Sequence, residues 1–136
     1  MTIANSGTPG SVFLTNGSTL QGDGTIFVEQ DWTNDATFTA DNSTVDFNGD
    51  LQQFITSTIA TVTTFNNLTL SGAGATVADR KKTLQLVNAR VGTAGILTIN
   101  DRELETQTNT MFIDNPAVTS VTNATTFGAE GFVSSS

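Results

Sequence analysis

Short stretches of alternating apolar and polar residues, separated by turn-forming residues, follow one another along most of the chain. Such runs have the period of two that is typical of β-strands, and Asn-Gly or Gly-Asp pairs supply the positive φ angles that turns need. One segment, 101–107, is compatible with a single helical turn, which is too short to change the fold class. The predicted strands are 11–15, 25–32, 36–40, 43–48, 52–56, 63–70, 83–91, 95–100, 110–114, 118–122 and 130–133.

This spacing allows a β-sandwich, a barrel or a solenoid, and three features favour the solenoid. Thr and Asn are abundant, and in stacked coils such side chains form ladders that satisfy one another. Segments 68–70 and 97–99 share a Leu-Thr-[Leu/Ile] core. Aromatic residues recur at short intervals, as an inward-facing stack requires: Phe27, Phe38, Phe47, Phe54 and Phe65.

We therefore predict an all-β parallel solenoid of about five to six coils, each of roughly 20–30 residues. An antiparallel β-sandwich is the alternative. Residues 1–136 are expected to form one domain, with an N-terminal part (1–24), a repeat-like core (25–100) and C-terminal strands (101–136). The predicted buried residues are Phe38, Phe47, Phe54, Phe65, Leu68 and Leu70.

Charge is unevenly distributed along the chain. It has 13 acidic and five basic residues, with a net charge of −8, and all the basic residues lie within 80–102. An acidic protein repels nucleic acid and anionic membranes, and no apolar run approaches the length of a membrane span. We therefore expect no nucleic-acid partner and no insertion into a membrane. The first residues lack the features of a signal peptide, so we expect a segment of a longer protein.

The residue types present exclude most catalytic chemistry. The chain has no His, Cys or Tyr, which excludes catalytic triads and the usual zinc sites. Carboxylate chemistry is what remains, with Asp46 and Asp50, or Asp79 beside Arg80, as the pairs to consider. Because a glycan groove also needs several aromatic residues and the chain has one Trp, no enzyme is expected. No catalytic, cofactor-binding or metal-binding residue is assigned.

A calcium ion is the one cofactor with some sequence support. Oxygen-bearing residues alternate around a Gly in the segment Asp46–Asp50, and Asp41 and Asn42 lie just upstream. Calcium takes six to eight oxygen ligands, however, and the bidentate Glu of a complete loop is missing. A solvated turn between two strands is the simpler interpretation.

A spaced pattern of apolar, Asn and Gly residues runs along the chain. Its members are Trp32, Asn34, Phe38, Val45, Phe47, Gly49, Gln53, Ile55, Phe65, Asn67, Leu68 and Leu70. The pattern resembles a repeat found in very large cell-surface proteins of Bacteroidetes that are exported by the gliding-associated (type IX) secretion pathway. The resemblance implies an extracellular location and a role in adhesion or surface structure. This chain departs from the repeat at Ser57, where Gly is common, and in its basic run at 80–82, which we expect to solvate a loop. Physically the pattern describes packing, with Trp32 and the apolar residues facing inward, Asn34 and Asn67 bonding turns and Gly49 at a corner.

The expected function is an extracellular structural or adhesive surface module that assembles into filaments and has no catalytic activity. A carbohydrate- or calcium-binding adhesin, with Trp32 as its exposed platform, is one alternative; a phage fibre segment or a glycan-acting enzyme is another. The expected partners are neighbouring repeats, surface glycans, or further copies stacked head to tail. In such a stack the acidic residues 1–79 face the basic 80–102 region of the next copy, so that salt weakens the contact.

Overall fold

The computed structural model describes residues 10–15, 17–123 and 131–135, which form sixteen short strands and no helix. The chain winds through three strands and then begins the next coil above the last. The strands are β1 (Val12–Leu14), β2 (Thr19–Gln21), β3 (Thr25–Val28), β4 (Trp32–Asn34), β5 (Thr37–Thr39), β6 (Thr44–Phe47), β7 (Gln53–Thr56), β8 (Val62–Phe65), β9 (Asn67–Leu70), β10 (Lys81–Gln85), β11 (Asn88–Val91), β12 (Leu97–Thr98), β13 (Glu103–Glu105), β14 (Met111–Ile113), β15 (Val121–Thr122) and β16 (Phe132–Ser134).

Strands from successive coils stack into parallel sheets. The first sheet has the order β1-β4-β7-β10-β13-β16, and the third has the order β15-β12-β9-β6-β3. The second face carries the pair β2-β5 and the sheet β14-β11-β8. Because every strand pair is parallel, the predicted β-solenoid is confirmed, with five three-strand coils and the first strand of a sixth. The sandwich alternative is wrong.

The coils differ in length because their corners differ. Stacked partners in the first sheet are separated by 20, 23, 29, 22 and 29 residues, as the pairs Val12↔Trp32, Trp32↔Ile55, Leu84↔Ile55, Thr83↔Glu105 and Glu105↔Ser134 give by subtraction. Irregular spacing of this kind hides the repeat from a search at fixed period. The Leu-Thr echo is a true structural repeat, since Leu97 pairs with Leu68 and Thr98 with Thr69.

The core consists of columns of inward-facing apolar residues, one from each coil. In the third sheet Ile26 pairs with Val45, Val45 with Leu68 and Leu68 with Leu97, and all four are buried. In the first sheet Trp32 is stacked on Ile55. Strand alternation places each polar neighbour outside, which explains why a period of two identified these strands.

An aromatic cluster fills the middle of the solenoid. The ring of Trp32 lies 4.9 Å from that of Phe38, 6.3 Å from that of Phe47 and 5.8 Å from that of Phe65, measured between centroids. Edge-to-face and tilted contacts at these distances stabilise a core beyond simple area burial. The predicted burial of Phe47, Phe65, Leu68 and Leu70 is confirmed, and Phe38 is partly buried against the core.

Two aromatic residues were assigned to the wrong face. Phe54 and Phe27 point outward and are only partly buried, whereas Gln53 and Ile55 occupy the interior on β7. The prediction for Phe54 failed because it took the aromatic residue as the inward one. The Gln53 amide is buried without loss because it finds backbone partners in the corner, and this fixes the opposite phase of the strand.

The local predictions at the corners can also be compared with the structure. The segment 101–107 contains strand β13, so the helical turn considered there is wrong. Asn34 accepts a hydrogen bond from the N–H of Ala36 across a turn, and Gly49 lies at a corner, as predicted. A Cβ atom at Gly49 would collide with the carbonyl oxygen of Glu29. Residue 130 of the last predicted strand, and residues 1–9 of the N-terminal part, lie outside the described residues.

The two phenylalanines on adjacent strands provide a test of this core. We expect Phe47→Ala to lower the free energy of unfolding by about 3–5 kcal/mol, because it leaves a cavity among packed rings. Phe54→Ala, the matched control, should cost less than half as much because Phe54 lies on the outer face. Urea unfolding measures both. Equal losses for the two variants would contradict the assigned strand phases.

Candidate functional surfaces

Asp and Asn side chains at the corners bond each coil to the next. A backbone N–H at a corner lacks a strand partner, and the side-chain oxygen of a short residue one coil away accepts its hydrogen bond instead. The side-chain oxygens that accept an N–H from the following coil belong to Asp23 (from Asn42, 3.1 Å), Asp31 (Phe54, 2.8 Å), Asp35 (Thr58, 2.6 Å), Asp50 (Ala73, 2.8 Å), Asn67 (Ile96, 3.0 Å) and Asn88 (Thr110, 2.7 Å). The predicted role of Asn67 in bonding a turn therefore extends between coils.

These hydrogen bonds between coils explain part of the excess of acidic residues in the first half of the chain. Asp35 accepts hydrogen bonds from the N–H and hydroxyl of Thr58 and from the hydroxyl of Ser57. The hydrogen bond from the Thr58 N–H lowers the pKa of Asp35, because it favours the charged carboxylate. Four of the eight acidic residues before residue 80 are corner acceptors of this kind.

The segment considered for calcium uses its carboxylates in the same way. Asp46 accepts a hydrogen bond from the Ser71 hydroxyl at 2.6 Å, and burial raises the pKa of this carboxyl group. Asp50 accepts the N–H of Ala73. Within 10–15, 17–123 and 131–135, no three acidic, His or Cys side chains gather as a group that could hold a metal ion. Calcium binding stays a prediction, and the observed hydrogen bonds give Asp46 and Asp50 a role without it.

The other pair considered for catalysis is Asp79 and Arg80, and each of these residues has a structural role. Asp79 accepts hydrogen bonds from the N–H and hydroxyl of Thr76, at 3.1 and 2.7 Å, and closes a turn. Arg80 donates to the Gly74 carbonyl and lies 3.8 Å from the carboxylate of Asp101. Both residues thus hold the loop at 74–79 in place, and Arg80 also reaches Asp101 in the next corner.

Trp32, considered as an exposed binding platform, is fully buried. Its indole nitrogen finds no hydrogen-bond partner among the described residues. The residue therefore contributes to packing, and a binding role for it is wrong.

A column of buried polar side chains follows the corner where the chain leaves the third sheet and enters the first; we call it the corner column. It consists of Gln53, Lys82 and Arg102, from three successive coils. The Gln53 amide donates to the carbonyls of Val28 and Gln30 and accepts the N–H of Gly49. Each member reaches back to carbonyl groups of an earlier corner, so that buried backbone oxygens are satisfied.

Lys82 is the most unusual member of the corner column. Its ammonium group is buried and donates to the carbonyl of Gly49 (2.9 Å), the carbonyl of Leu51 (3.4 Å) and the side-chain oxygen of Gln53 (2.6 Å). Burial, and next the positive charge of Arg102, lower the pKa of Lys82 to about 8. Its burial is not evident from the sequence, because Lys82 follows Arg80 and Lys81 in what resembles a solvated basic loop. The available signal was alternation, since Lys82 shares a strand face with Leu84.

Arg102 repeats this behaviour one coil later. It is buried and donates to the carbonyls of Ser71 and Gly72, while Asp101 lies 3.5 Å from its guanidinium group. Its remaining terminal nitrogen has no partner within the described residues. Two buried cations in one column are tolerated because carbonyl oxygens surround them.

The other basic residues form ion pairs between neighbouring coils on the outside of the solenoid. Lys81 lies 2.7 Å from Glu105 and 3.6 Å from Glu103, and Arg90 lies 2.6 Å from Asp114. The hydrogen bond between Lys81 and Glu105 raises the pKa of the lysine and lowers that of the carboxyl group. These partners engage the basic residues within the chain, and the charge-guided contact with the acidic half of another copy stays a prediction.

A cleft of about 410 Å³ lies beside the corner column on the outside, between two successive corners. Amide and carboxylate side chains line it, and the exposed side chain of Leu51 projects at its edge. Such groups hydrogen-bond hydroxyls, so the cleft is a place where the predicted surface glycan could bind; that partner stays a prediction. The lining residues are Glu29, Gln30, Asp31, Asn48, Gly49, Asp50, Leu51 and Gln52.

Comparisons of the chain with protein-family models, curated proteins and solved structures find no match. The resemblance to Bacteroidetes surface repeats therefore stays an expectation from the sequence. Among the described residues there is no helix of sufficient length and apolar character to cross a membrane.

The two adjacent lysines should differ in how they link stability to pH. Lys82 has a pKa of about 8 in the folded chain and 10.5 when unfolded, so the unfolded state binds more protons between these values. The free energy of unfolding of the wild type should therefore rise, relative to Lys82→Met, as pH increases from about 8 to 10.5.

Lys81→Met is the matched control. The folded pKa of Lys81 is raised, so its contribution is present below 10.5 and is lost only above that value. Denaturant unfolding at pH 7, 8, 9 and 10 measures both differences. A wild-type advantage over Lys82→Met that stays constant with pH would contradict the buried position of the Lys82 ammonium.

A second measurement concerns calcium. Since Asp46 and Asp50 already accept hydrogen bonds from Ser71 and Ala73, we expect the same melting temperature in calcium and in chelator. A ligand that binds only the folded state would raise it by mass action. A fall of several degrees on chelation, abolished by Asp50→Ala, would restore the calcium interpretation.

Proposed function

We propose that this chain is a structural or adhesive module of an extracellular surface assembly and has no catalytic activity. One observation supports this most directly. The carboxylates and cations that could perform chemistry are engaged in structural hydrogen bonds: Asp35, Asp46, Lys82 and Arg102 bond adjacent coils, and Asp79 closes a turn.

A solenoid suits such a role because its order extends along one axis. Each coil contacts its neighbours alone, and a continuous core with ladders of side-chain hydrogen bonds joins the coils. Thr98 and Thr122, for example, share a hydrogen bond of 3.0 Å between coils on the outer face of the third sheet. Small polar side chains thus bond neighbouring coils on the outside, while the apolar columns join them inside.

Surface location and the absence of catalysis can be tested in the cells that make the protein. We expect antibodies against the chain to label intact cells, and external protease to remove the signal. Labelling that requires permeabilised cells would contradict an extracellular role.

The same cells can carry variants. In-frame deletion of the segment should weaken cell adhesion or surface filaments, whereas Asp46→Asn and Asp79→Asn, which remove the carboxylates considered for catalysis, should not. An effect of these two variants as large as that of the deletion, in a chain that still folds, would favour an enzyme.

A further inference from the structure

The cleft beside the corner column is formed by two corners that lie one coil apart. Residues 29–31 connect β3 to β4, and residues 48–52 connect β6 to β7, so the stacking of the strands brings these corners together. The volume of about 410 Å³ falls within the range of about 300–1,000 Å³ that pockets for small ligands occupy. The cleft therefore has the size of a binding pocket.

Several polar groups in the cleft have no partner among the described residues. The half-buried carboxylate of Glu29 makes no hydrogen bond or ion pair with them, and the side-chain amide of Asn48 makes no hydrogen bond with them. Asp31 and Asp50 each use one carboxylate oxygen for a corner N–H, which leaves the second oxygen of each for another donor. Half-buried polar groups without partners are costly to leave unpaired, so a ligand with matching groups gains affinity from them.

Charge restricts the ligand to one that is positive. Three carboxylates line the cleft, those of Glu29, Asp31 and Asp50, and no basic side chain is among the lining residues that the structure describes. The nearby ammonium group of Lys82 is fully buried and donates to backbone carbonyls in the interior, so it is not accessible to an anion. Acidic sugars and phosphates are therefore repelled by this cleft, and a cation is attracted.

The same lining distinguishes an organic cation from a metal ion. In the described part of the chain no three acidic side chains gather closely enough to hold a metal, so the three carboxylates are spread around the cleft. The amides of Gln30, Asn48 and Gln52 lie between them, and amides both donate to and accept from hydroxyl groups. The exposed Leu51 adds an apolar side chain at the edge. A ligand that combines a positive group, several hydroxyls and an apolar ring face is an amino sugar without an acetyl group on its nitrogen.

A second copy of the chain does not supply the cation. Each of its five basic side chains already bonds a carboxylate or a carbonyl group of its own chain: Arg80, Lys81, Lys82, Arg90 and Arg102. The ligand therefore comes from a different molecule.

We propose that this cleft binds a polysaccharide of amino sugars, through the protonated amine and the neighbouring hydroxyl groups of a sugar ring. The ammonium group lies among the three carboxylates, and the hydroxyls bond the three amides. The inference rests on the proposed adhesive function, and it names the chemistry of the surface polymer to which the module adheres.

Oligosaccharides that differ at a single ring position test the proposal. Chitosan, cellulose and chitin oligomers of equal length share one backbone and carry an ammonium, a hydroxyl or an acetamide group at the same ring carbon. In a mildly acidic buffer that keeps the amine protonated, calorimetric titration should show the chitosan oligomer binding about tenfold more tightly than the other two, because its hydrogen bonds are charge-assisted. Added salt should reduce this advantage, since it screens the carboxylates.

Two variants with the same change of charge show whether the cleft is the site. Glu29→Gln keeps the shape of the cleft and removes one carboxylate, so it should weaken binding of the chitosan oligomer by roughly fivefold and leave that of the cellulose oligomer unchanged. Asp41→Asn, the matched control, removes an exposed carboxylate from the corner at the opposite end of β6 and should change neither. The melting temperature of each variant shows that the fold is intact.

Equal affinities for the chitosan and cellulose oligomers, or binding that Glu29→Gln leaves unchanged, would overturn the proposal. Oligolysine that binds as tightly as the chitosan oligomer would also overturn it, and would indicate a basic protein segment as the ligand. If no oligomer binds while deletion of the segment still weakens adhesion, the cleft is not the site and the adhesive function stands. If the oligomer binds but labelling places the chain inside cells, the proposed extracellular function fails instead.

Discussion

Hydrogen bonding between one coil and the next is the interaction on which the rest of this structure depends. Within the sheets, strand pairing satisfies the backbone, but at the corners the chain turns away from its neighbours and leaves N–H and C=O groups without strand partners. Asp and Asn side chains replace the missing partners on the outside of the corners, and the buried amide and cationic groups of Gln53, Lys82 and Arg102 replace them on the inside of one corner. Half of the acidic residues in the first 79 positions, and the buried polar side chains of the corner column, follow from this requirement.

The fold class was readable from the sequence because two signals agreed. Alternation identified strands such as β6 and β9, and the abundance of Thr and Asn indicated that identical environments recur from coil to coil. The pairing of Leu68 with Leu97 was visible as a short echo. The boundaries of the coils were harder to predict. Corners of different length make the repeat irregular, and the local sequence does not show which residue will lie one coil above another.

The polar interior shows where residue type is a poor guide. Phe54 was assigned to the core and Lys82 to the surface, and the structure reverses both. In each case the phase of the strand decides: Gln53 shares a face with Ile55, and Lys82 shares one with Leu84. A polar side chain is tolerated in the interior when it can donate hydrogen bonds to backbone carbonyl groups. For Lys82 those carbonyls belong to a corner some 30 residues earlier in the chain. A single sequence does not show which distant corner will lie beside a given side chain. Candidate sites chosen by residue type alone therefore include both exposed residues and residues that hold the fold together.

The unequal coils have a consequence for how such a molecule evolves and how far it reaches. Adjacent parallel strands are about 4.8 Å apart, so five steps of 20 to 29 residues advance the axis by only about 24 Å. Residues added at a corner widen the cross-section and leave this advance unchanged, because the strands still stack at the same spacing. Lateral surface and axial reach are therefore set independently: corner insertions can alter what the module presents to its surroundings, while reach grows only with the number of coils.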